Sequence, residues 1–312
     1  MAGVKTMTRD EKYIKLCGGL GNQMFQYAFA KALDKKLKNC DVYLDPYWFT
    51  LIRKPPEKNQ ELTSDFTPRN YELDLFKNIK PKFVSQDTIR AYFAKKSRPN
   101  LSQQEALDEK VIVEKSAFEY DEKLFEIQPK RFFSGYYQNE EYFKDFREEL
   151  IKDFELPEFD QKDKHNQKLL KEIKNSNSIM IHIRRGDYLD LNQQLPLEYY
   201  KKAVDYITKH VQKPKFFVFG IDADDFIKKE LKIGHSFKFV GNTNTKNGED
   251  WKDFQLMKAC KHAIIANSAF SWWAAWLGDY SGKIVTAPSP WLDNHDECIC
   301  KHWIKIQREN NA

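Results

Sequence analysis

From residue 179 to residue 287, short apolar runs alternate with amphipathic stretches, and that alternation restricts the second half of the chain to one kind of fold. The runs at 179–183, 215–219, 237–240, 263–266 and 283–287 have the length and the β-branched or aromatic content of buried strands. Between them, 197–210, 223–231, 249–260 and 270–278 carry apolar residues at helical spacing. Strands separated by helices in this way pair in parallel and are covered by those helices. Ligands of such sheets sit just outside the carboxyl ends of the strands.

The first of these strands ends in the sharpest chemical signal. Ile179-Met180-Ile181-His182-Ile183 runs directly into Arg184-Arg185-Gly186-Asp187-Tyr188, with Gly186 as the turn. Planar guanidinium forks at a strand end bind a pyrophosphate bidentately and stabilise charge on a departing nucleoside diphosphate. Adjacent residues on an extended chain point opposite ways, so one arginine faces ligand and the other faces structure, with Asp187 as an available ion-pair partner. A later strand leads into Asn267-Ser268-Ala269-Phe270-Ser271-Trp272-Trp273. The hydroxyl and amide groups there either donate to phosphate oxygens at a helix start or simply cap that helix. Trp272, Trp273 and Trp276 read as core. Asp222-Ala223-Asp224 holds a divalent cation against a diphosphate, or else places carboxylates where a helix dipole favours them. Of the seven histidines, only His182 and His262 lie in apolar strands near sheet ends.

The first half opens with a strand at 13–17, the turn Gly18-Gly19-Leu20-Gly21-Asn22, a helix at 23–37 and a second strand at 41–45, which together make a β-α-β start. Gly19, Gly21 and Asn22 either line a binding cleft or form a tight turn with Asn22 as helix N-cap; the spacing fits neither dinucleotide nor P-loop fingerprints. Residues 48–70, with Pro55-Pro56, read as a loop bordering a cleft, and 71–76 as an edge strand. Weak helical content at 81–110 precedes a strand at 111–113. Residues 131–138 read as a strand ending in an aromatic turn, where Tyr136, Tyr137 and Gln138 form either a sugar-stacking ledge or core packing. An amphipathic helix is expected at 140–154. The charged stretch 157–177 is the domain boundary, giving an N-terminal domain at 1–156 and a C-terminal one at 157–312, the last residues being placed to pack back on the first. Residues 1–12 read as loose.

Composition narrows the partners. Fifty-one Lys and Arg against 46 Asp and Glu leave a charge of only +5, spread along the chain, which favours a small anionic ligand over a nucleic-acid groove. Aromatic residues make up 14%, enough to exclude disorder and to make carbohydrate-facing surfaces natural, although most such rings belong to a core. Five cysteines, an odd number and widely spaced, read as reduced thiols of a cytoplasmic protein. No apolar run approaches the roughly 20 residues of a membrane span, and the N-terminus is not signal-like.

Four motifs in order carry a resemblance: Cys17-Gly18-Gly19-Leu20-Gly21-Asn22-Gln23-Met24-Phe25-Gln26-Tyr27-Ala28; His182-Ile183-Arg184-Arg185-Gly186-Asp187-Tyr188; Trp251-Lys252-Asp253-Phe254; and Ala266-Asn267-Ser268-Ala269-Phe270-Ser271-Trp272-Trp273-Ala274-Ala275. This series resembles the α-1,2-fucosyltransferases of glycosyltransferase family 11. The resemblance implies an α/β, GT-B-like fold of two facing Rossmann-like domains with a cleft between them. It also implies inverting transfer of L-fucose from GDP-β-L-fucose to the 2-hydroxyl of a terminal galactose, with no cofactor and no obligatory metal. By motif position, Arg184 contacts the β-phosphate, His182 and His262 lie near the nucleoside, and Ser268 and Ser271 lie near the diphosphate. Gly19, Gly21, Asp253 and Asn267 belong to the donor site, and Asn22 reaches toward the reacting centre from an acceptor-holding first domain. Asp187 either serves in catalysis or orients Arg184, and Glu198, Asp45 and Asp253 are further candidates for a base. The acceptor is a galactose-terminated oligosaccharide or glycolipid, the latter implying peripheral contact with a membrane. Two other readings stay open: a metal-dependent sugar transferase built on Asp222 and Asp224, and a non-catalytic glycan-binding protein.

Overall fold

The computed structural model describes residues 9–51, 69–95, 102–126, 131–184, 193–220, 231, 237–240, 244, 249–278 and 280–308. The chain divides into two units, one comprising Met1–Asp74 and Asn78–Asp153, the other Leu75–Lys77 and Phe154–Ala312. Each is an α/β unit with its own parallel sheet.

The first unit contains β1 (Asp10–Lys15), α1 (Leu20–Lys36), β2 (Cys40–Asp45), α2 (Trp48–Leu51), α3 (Gln86–Ala94), α4 (Gln103–Asp108), β3 (Val111–Val113), β4 (Phe132–Ser134) and α5 (Arg147–Asp153). Its strands lie in the order β2-β1-β4-β3 and all pair in parallel. Helix α1 forms where the apolar positions recur at helical spacing, and it buries Met24, Phe25, Ala28, Phe29, Ala32 and Leu33 against the sheet. The strand β1 starts earlier than its apolar residues suggest. Lys12, expected in a loose terminus, is buried because its ammonium reaches Asp10 at 2.8 Å. Residues 71–76 form a 3-10 turn at Leu73–Leu75 instead of an edge strand. The single helix expected at 140–154 is instead two 3-10 turns followed by α5. Phe143 takes a non-helical backbone (φ −138°), and the Asn139 side chain caps the first turn through the N–H of Glu141.

The second unit contains α6 (Lys164–Lys174), β5 (Asn177–His182), α7 (Leu197–His210), β6 (Pro214–Phe219), β7 (Phe237–Phe239), α8 (Asp250–Ala259), β8 (His262–Ile264), α9 (Ala269–Leu277), β9 (Val285–Ser289) and β10 (Ile304–Gln307). The order is β10-β9-β8-β5-β6-β7, again wholly parallel. The stretch expected to be linker is largely helix α6. The chain's last described strand is the edge of the second unit's own sheet. Ile179, Ile181, Phe216, Val218 and Ile264 from the strands meet Tyr199, Ala203 and Ile207 of α7 in the core. Helix α9 is apolar on every side and correspondingly buried, with Trp272 stacked on Trp276 and its indole N–H donated to the Cys298 carbonyl at 2.8 Å. The helix expected at 223–231 lies outside the described residues apart from Leu231. All five cysteines are free, and no helix among the described residues is long and apolar enough to cross a membrane.

The second unit's sheet reverses its winding once and the first unit's sheet twice. In the second unit the chain proceeds β5, β6, β7 to one side and returns to β8 on the other, so the switch point lies between β5 and β8; in the first, the reversal after β2 puts one between β1 and β4. The crevice at such a point, on the carboxyl side, is where open α/β sheets hold ligands.

Candidate active site

Strand β5 brings His182 to the switch point of the second unit. Ile181 pairs with Ile264, which sets His182 level with the turn that leads into α9. The imidazole is only 5% exposed and lies 6.2 Å from the ring of Phe270, which in turn meets Phe254 of α8 edge-on. Burial, reinforced by the positive charge of Arg184, lowers its pKa from 6.5 to about 3. The ring is therefore neutral at pH 7, and its Nδ1 has no hydrogen-bond partner among the described residues. A buried nitrogen of this kind is a built hydrogen-bonding position for a polar ligand.

The path from His182 to Arg184 is fixed on both sides. The Tyr200 hydroxyl donates to the His182 carbonyl at 3.3 Å, and the Ile183 N–H donates to the Phe219 carbonyl at 2.9 Å. Gly220 follows β6 with φ +136°, and a Cβ there would lie 2.0 Å from the Ile183 carbonyl oxygen. Only glycine permits that approach. Arg184 emerges half-buried from this frame.

Helix α9 begins beside it. Ser268 occupies the N-cap position, 6% exposed, and its side chain makes no capping hydrogen bond among the described residues. The simple capping reading is thus not realised, and the helix start keeps the unbonded N–H groups that α-helices leave in their first turn. Asn267 donates from Nδ2 to the Gln193 carbonyl at 3.0 Å and so ties the start of α9 to the segment that precedes α7. Ser271, expected near a diphosphate, is fully buried, and its hydroxyl is within hydrogen-bond distance of the carbonyls of Ala266 and Ser268. Its position makes it a brace for the turn. Asp253, in the first turn of α8, is buried and accepts a hydrogen bond from Asn244 Nδ2, and Asn244 also exchanges amide hydrogen bonds with Asn166. It anchors α8 at this edge. His262 is the correction: it pairs with Ile179, at the amino end of the strands, and its Nδ1 accepts from the Ile284 N–H at 3.1 Å. Strand direction separates it from His182, a distinction invisible from the apolar context the two share. Arg185, Gly186, Asp187, Asp222 and Asp224 lie outside the described residues.

The carboxyl edge of the first unit carries the remaining candidates. Gly18 turns the chain with φ +79°, and a Cβ there would come within 2.5 Å of Asn22 Nδ2. Gly19 is the N-cap of α1, so Asn22 lies inside the first turn and is not the cap. Gly21 is buried in the same turn. Asn22 Oδ1 accepts from Gln138 Nε2 at 2.9 Å, a bond that spans the β1/β4 switch point. Tyr137 is core, stacked on Phe29 at 3.8 Å, whereas Tyr136 is 39% exposed, so the two adjacent rings do not form one ledge. Two glutamines of α1 were not singled out from the sequence. Gln23 donates to the carbonyls of Gly18 and Asn70 and accepts from the Glu72 N–H, and Gln26 joins Cys17 to the Gly135 carbonyl. Their signal was an amide at positions i and i+3 on the apolar face of a helix.

Fold and site together define an α/β protein of two doubly wound parallel units, each with polar side chains gathered at its carboxyl edge. The chain belongs to glycosyl transferase family 11, whose family model matches residues 117–307. It is 32% identical to an alpha-1,2-colitosyltransferase of Escherichia coli, over 94% of this chain and 98% of that one. The O-antigen biosynthesis glycosyltransferase WbnK of Escherichia coli is 28% identical over 94% of this chain and its own full length. Human galactoside alpha-(1,2)-fucosyltransferase 1 is 29% identical over a shorter stretch, 31% of this chain and 28% of that protein. Among solved structures, the chain is similar to the fucosyltransferase NodZ from Bradyrhizobium, with a TM-score of 0.49 and 13% identity, covering 86% of this chain and 93% of that one.

Proposed function

We propose that this transferase moves L-fucose from GDP-β-L-fucose to the 2-hydroxyl of a terminal β-galactoside, with inversion to an α-1,2 linkage and without an obligatory metal. The observation that carries the reading is the switch point of the second unit, where a neutral buried imidazole with an unpartnered Nδ1, the Arg184 guanidinium and the start of α9 share one carboxyl edge. The C1–O bond to the diphosphate breaks as the acceptor oxygen bonds to C1 from the opposite face, through an oxocarbenium-like state. GDP leaves with the electron pair of the broken bond. Arg184 stabilises the negative charge growing on the β-phosphate, the work a divalent cation does elsewhere. The α9 N-terminus with Ser268 adds N–H donors and a favourable dipole, and His182 hydrogen-bonds the nucleotide as a neutral group. In the first unit, Asn22 and Gln138 hold the acceptor, a galactose-terminated oligosaccharide that is free or lipid-linked.

The relative named as a colitosyltransferase favours a second reading, in which the donor sugar lacks the 3-hydroxyl of fucose. Parallel incubations of lactose with GDP-fucose and with the corresponding 3-deoxy donor, followed by NMR of the products, separate the two. An α-anomeric fucose signal correlated to galactose C2 supports the proposal. Transfer from the 3-deoxy donor alone supports the second reading, and a β-linked or otherwise linked product contradicts both.

A further inference from the structure

The carboxyl edge of the first unit also holds a carboxylate with no task so far. Glu114 directly follows β3, and the sheet order places β3 beside β4, whose end carries the turn Gly135-Tyr136-Tyr137-Gln138. Each carboxylate oxygen accepts one backbone N–H, from Tyr136 at 2.6 Å and from Tyr137 at 2.8 Å. The fit is close enough that a Cβ on Gly135 would lie 2.5 Å from Glu114 Cβ and 2.6 Å from Oε2. This clasp holds an uncommon backbone, since Tyr137 adopts φ +55°, a region that bulky residues rarely enter. The turn sends Tyr137 inward, leaves Tyr136 exposed and carries Gln138 to Asn22.

A carboxylate offers about four lone-pair directions, so two backbone N–H groups leave room for another donor. Glu114 is half-buried. The titratable groups that face it are Cys17 from the turn after β1, Tyr136 and Tyr137 from the turn after β4, and Tyr142 beyond it. All four are neutral at pH 7 and none offsets its charge. Burial dominates and raises the Glu114 carboxyl to about 7, against a usual 4.5. A base is most effective when its pKa lies near the working pH.

We propose that Glu114 is the general base of the transfer, taking the proton of the acceptor hydroxyl, with Asn22, Gln138 and the exposed ring of Tyr136 forming the acceptor subsite around it. This rests on the transferase reading above. The carboxylate gains the hydroxyl proton as the acceptor oxygen bonds to C1 and GDP departs, and it returns that proton to solvent between turnovers. The sequence signal was a glutamate immediately past the apolar run 111–113.

The test is kcat/KM for lactose against pH from 5.5 to 8.5 with saturating GDP-fucose. Wild type is expected to gain rate with rising pH through a limb near 7. Glu114→Gln is expected to lose transfer by about a hundredfold or more and to lack the limb, while still binding GDP, with a lowered melting temperature because one of the two backbone N–H groups of the clasp loses its acceptor. Glu114→Asp, which keeps a carboxylate, retains a limb at reduced rate, and decides the matter if the Gln variant folds poorly. A flat wild-type profile, or a limb that survives in Glu114→Gln, overturns the assignment of Glu114 alone. A wild type that transfers nothing to lactose or another β-galactoside overturns the transferase reading, and this inference with it.

Discussion

Arg184 is the side chain on which the proposed donor half depends, and its replacement gives the most direct residue-scale expectation. Arg184→Ala should lower turnover about a hundredfold or more, the typical loss when one donor to a developing oxyanion is removed. Arg184→Lys should recover only part of it, because a point charge lacks the bidentate fork. GDP release under saturating donor measures both, and turnover near wild type in Arg184→Ala would remove it from the role. His182 gives a pH expectation. Its folded pKa of about 3 lies below the unfolded value of 6.5, so between those values the unfolded chain binds more protons than the folded one. Its contribution to stability is complete above pH 6.5 and is lost as pH falls toward 3. Melting temperatures from pH 7 to pH 4 should therefore fall less steeply in His182→Asn than in wild type, and parallel curves would contradict a buried neutral ring. At this scale the sequence made residue types legible and their directions only partly so. Arg184, His182 and Asn22 stand at carboxyl edges as their motifs suggest. The burial of Ser271, the split between Tyr136 and Tyr137, and the placement of His262 at the opposite end of its sheet depend on strand register and side-chain direction, which no spacing encodes.

Elements were legible where one face is clearly apolar. Helix α7 spans Leu197–His210 as the spacing predicts, because Pro196 stands at its N-cap and Tyr199, Tyr200, Ala203 and Ile207 form a continuous buried stripe. Helix α6 was concealed because it buries only Asn166, Leu169 and Ile173 among charged neighbours, so its composition reads as linker. The helix expected over 140–154 failed for the converse reason: its apolar pattern is helical, but local capping by Asn139 and the backbone at Phe143 divide it. Turns between elements matter as much as the elements. Gly220→Ala places a methyl against the Ile183 carbonyl in a left-handed backbone, where strain costs about 1–3 kcal/mol even before the clash. Urea denaturation should show at least that loss, together with weakened GDP binding, since β6 then pushes on the segment leading to Arg184. Unchanged stability would mean that the β5 and β6 ends do not constrain each other.

At the scale of the whole molecule, two parallel-sheet units follow from the strand and helix alternation, and the division between Asp153 and Phe154 falls just ahead of the boundary read from charge. The assignment of Leu75–Lys77 to the second unit had no sequence signal, since so short a segment carries no pattern of its own. Each unit gathers its polar candidates at the carboxyl edge of its own sheet, and the proposed reading takes the donor to the second and the acceptor to the first. The measurement that tests this account most directly is GDP release from GDP-fucose with and without lactose, each in excess EDTA. Release that requires lactose and ignores EDTA is the predicted result. Release abolished by EDTA would contradict it and shift the diphosphate's charge to a metal site that includes Asp222 and Asp224.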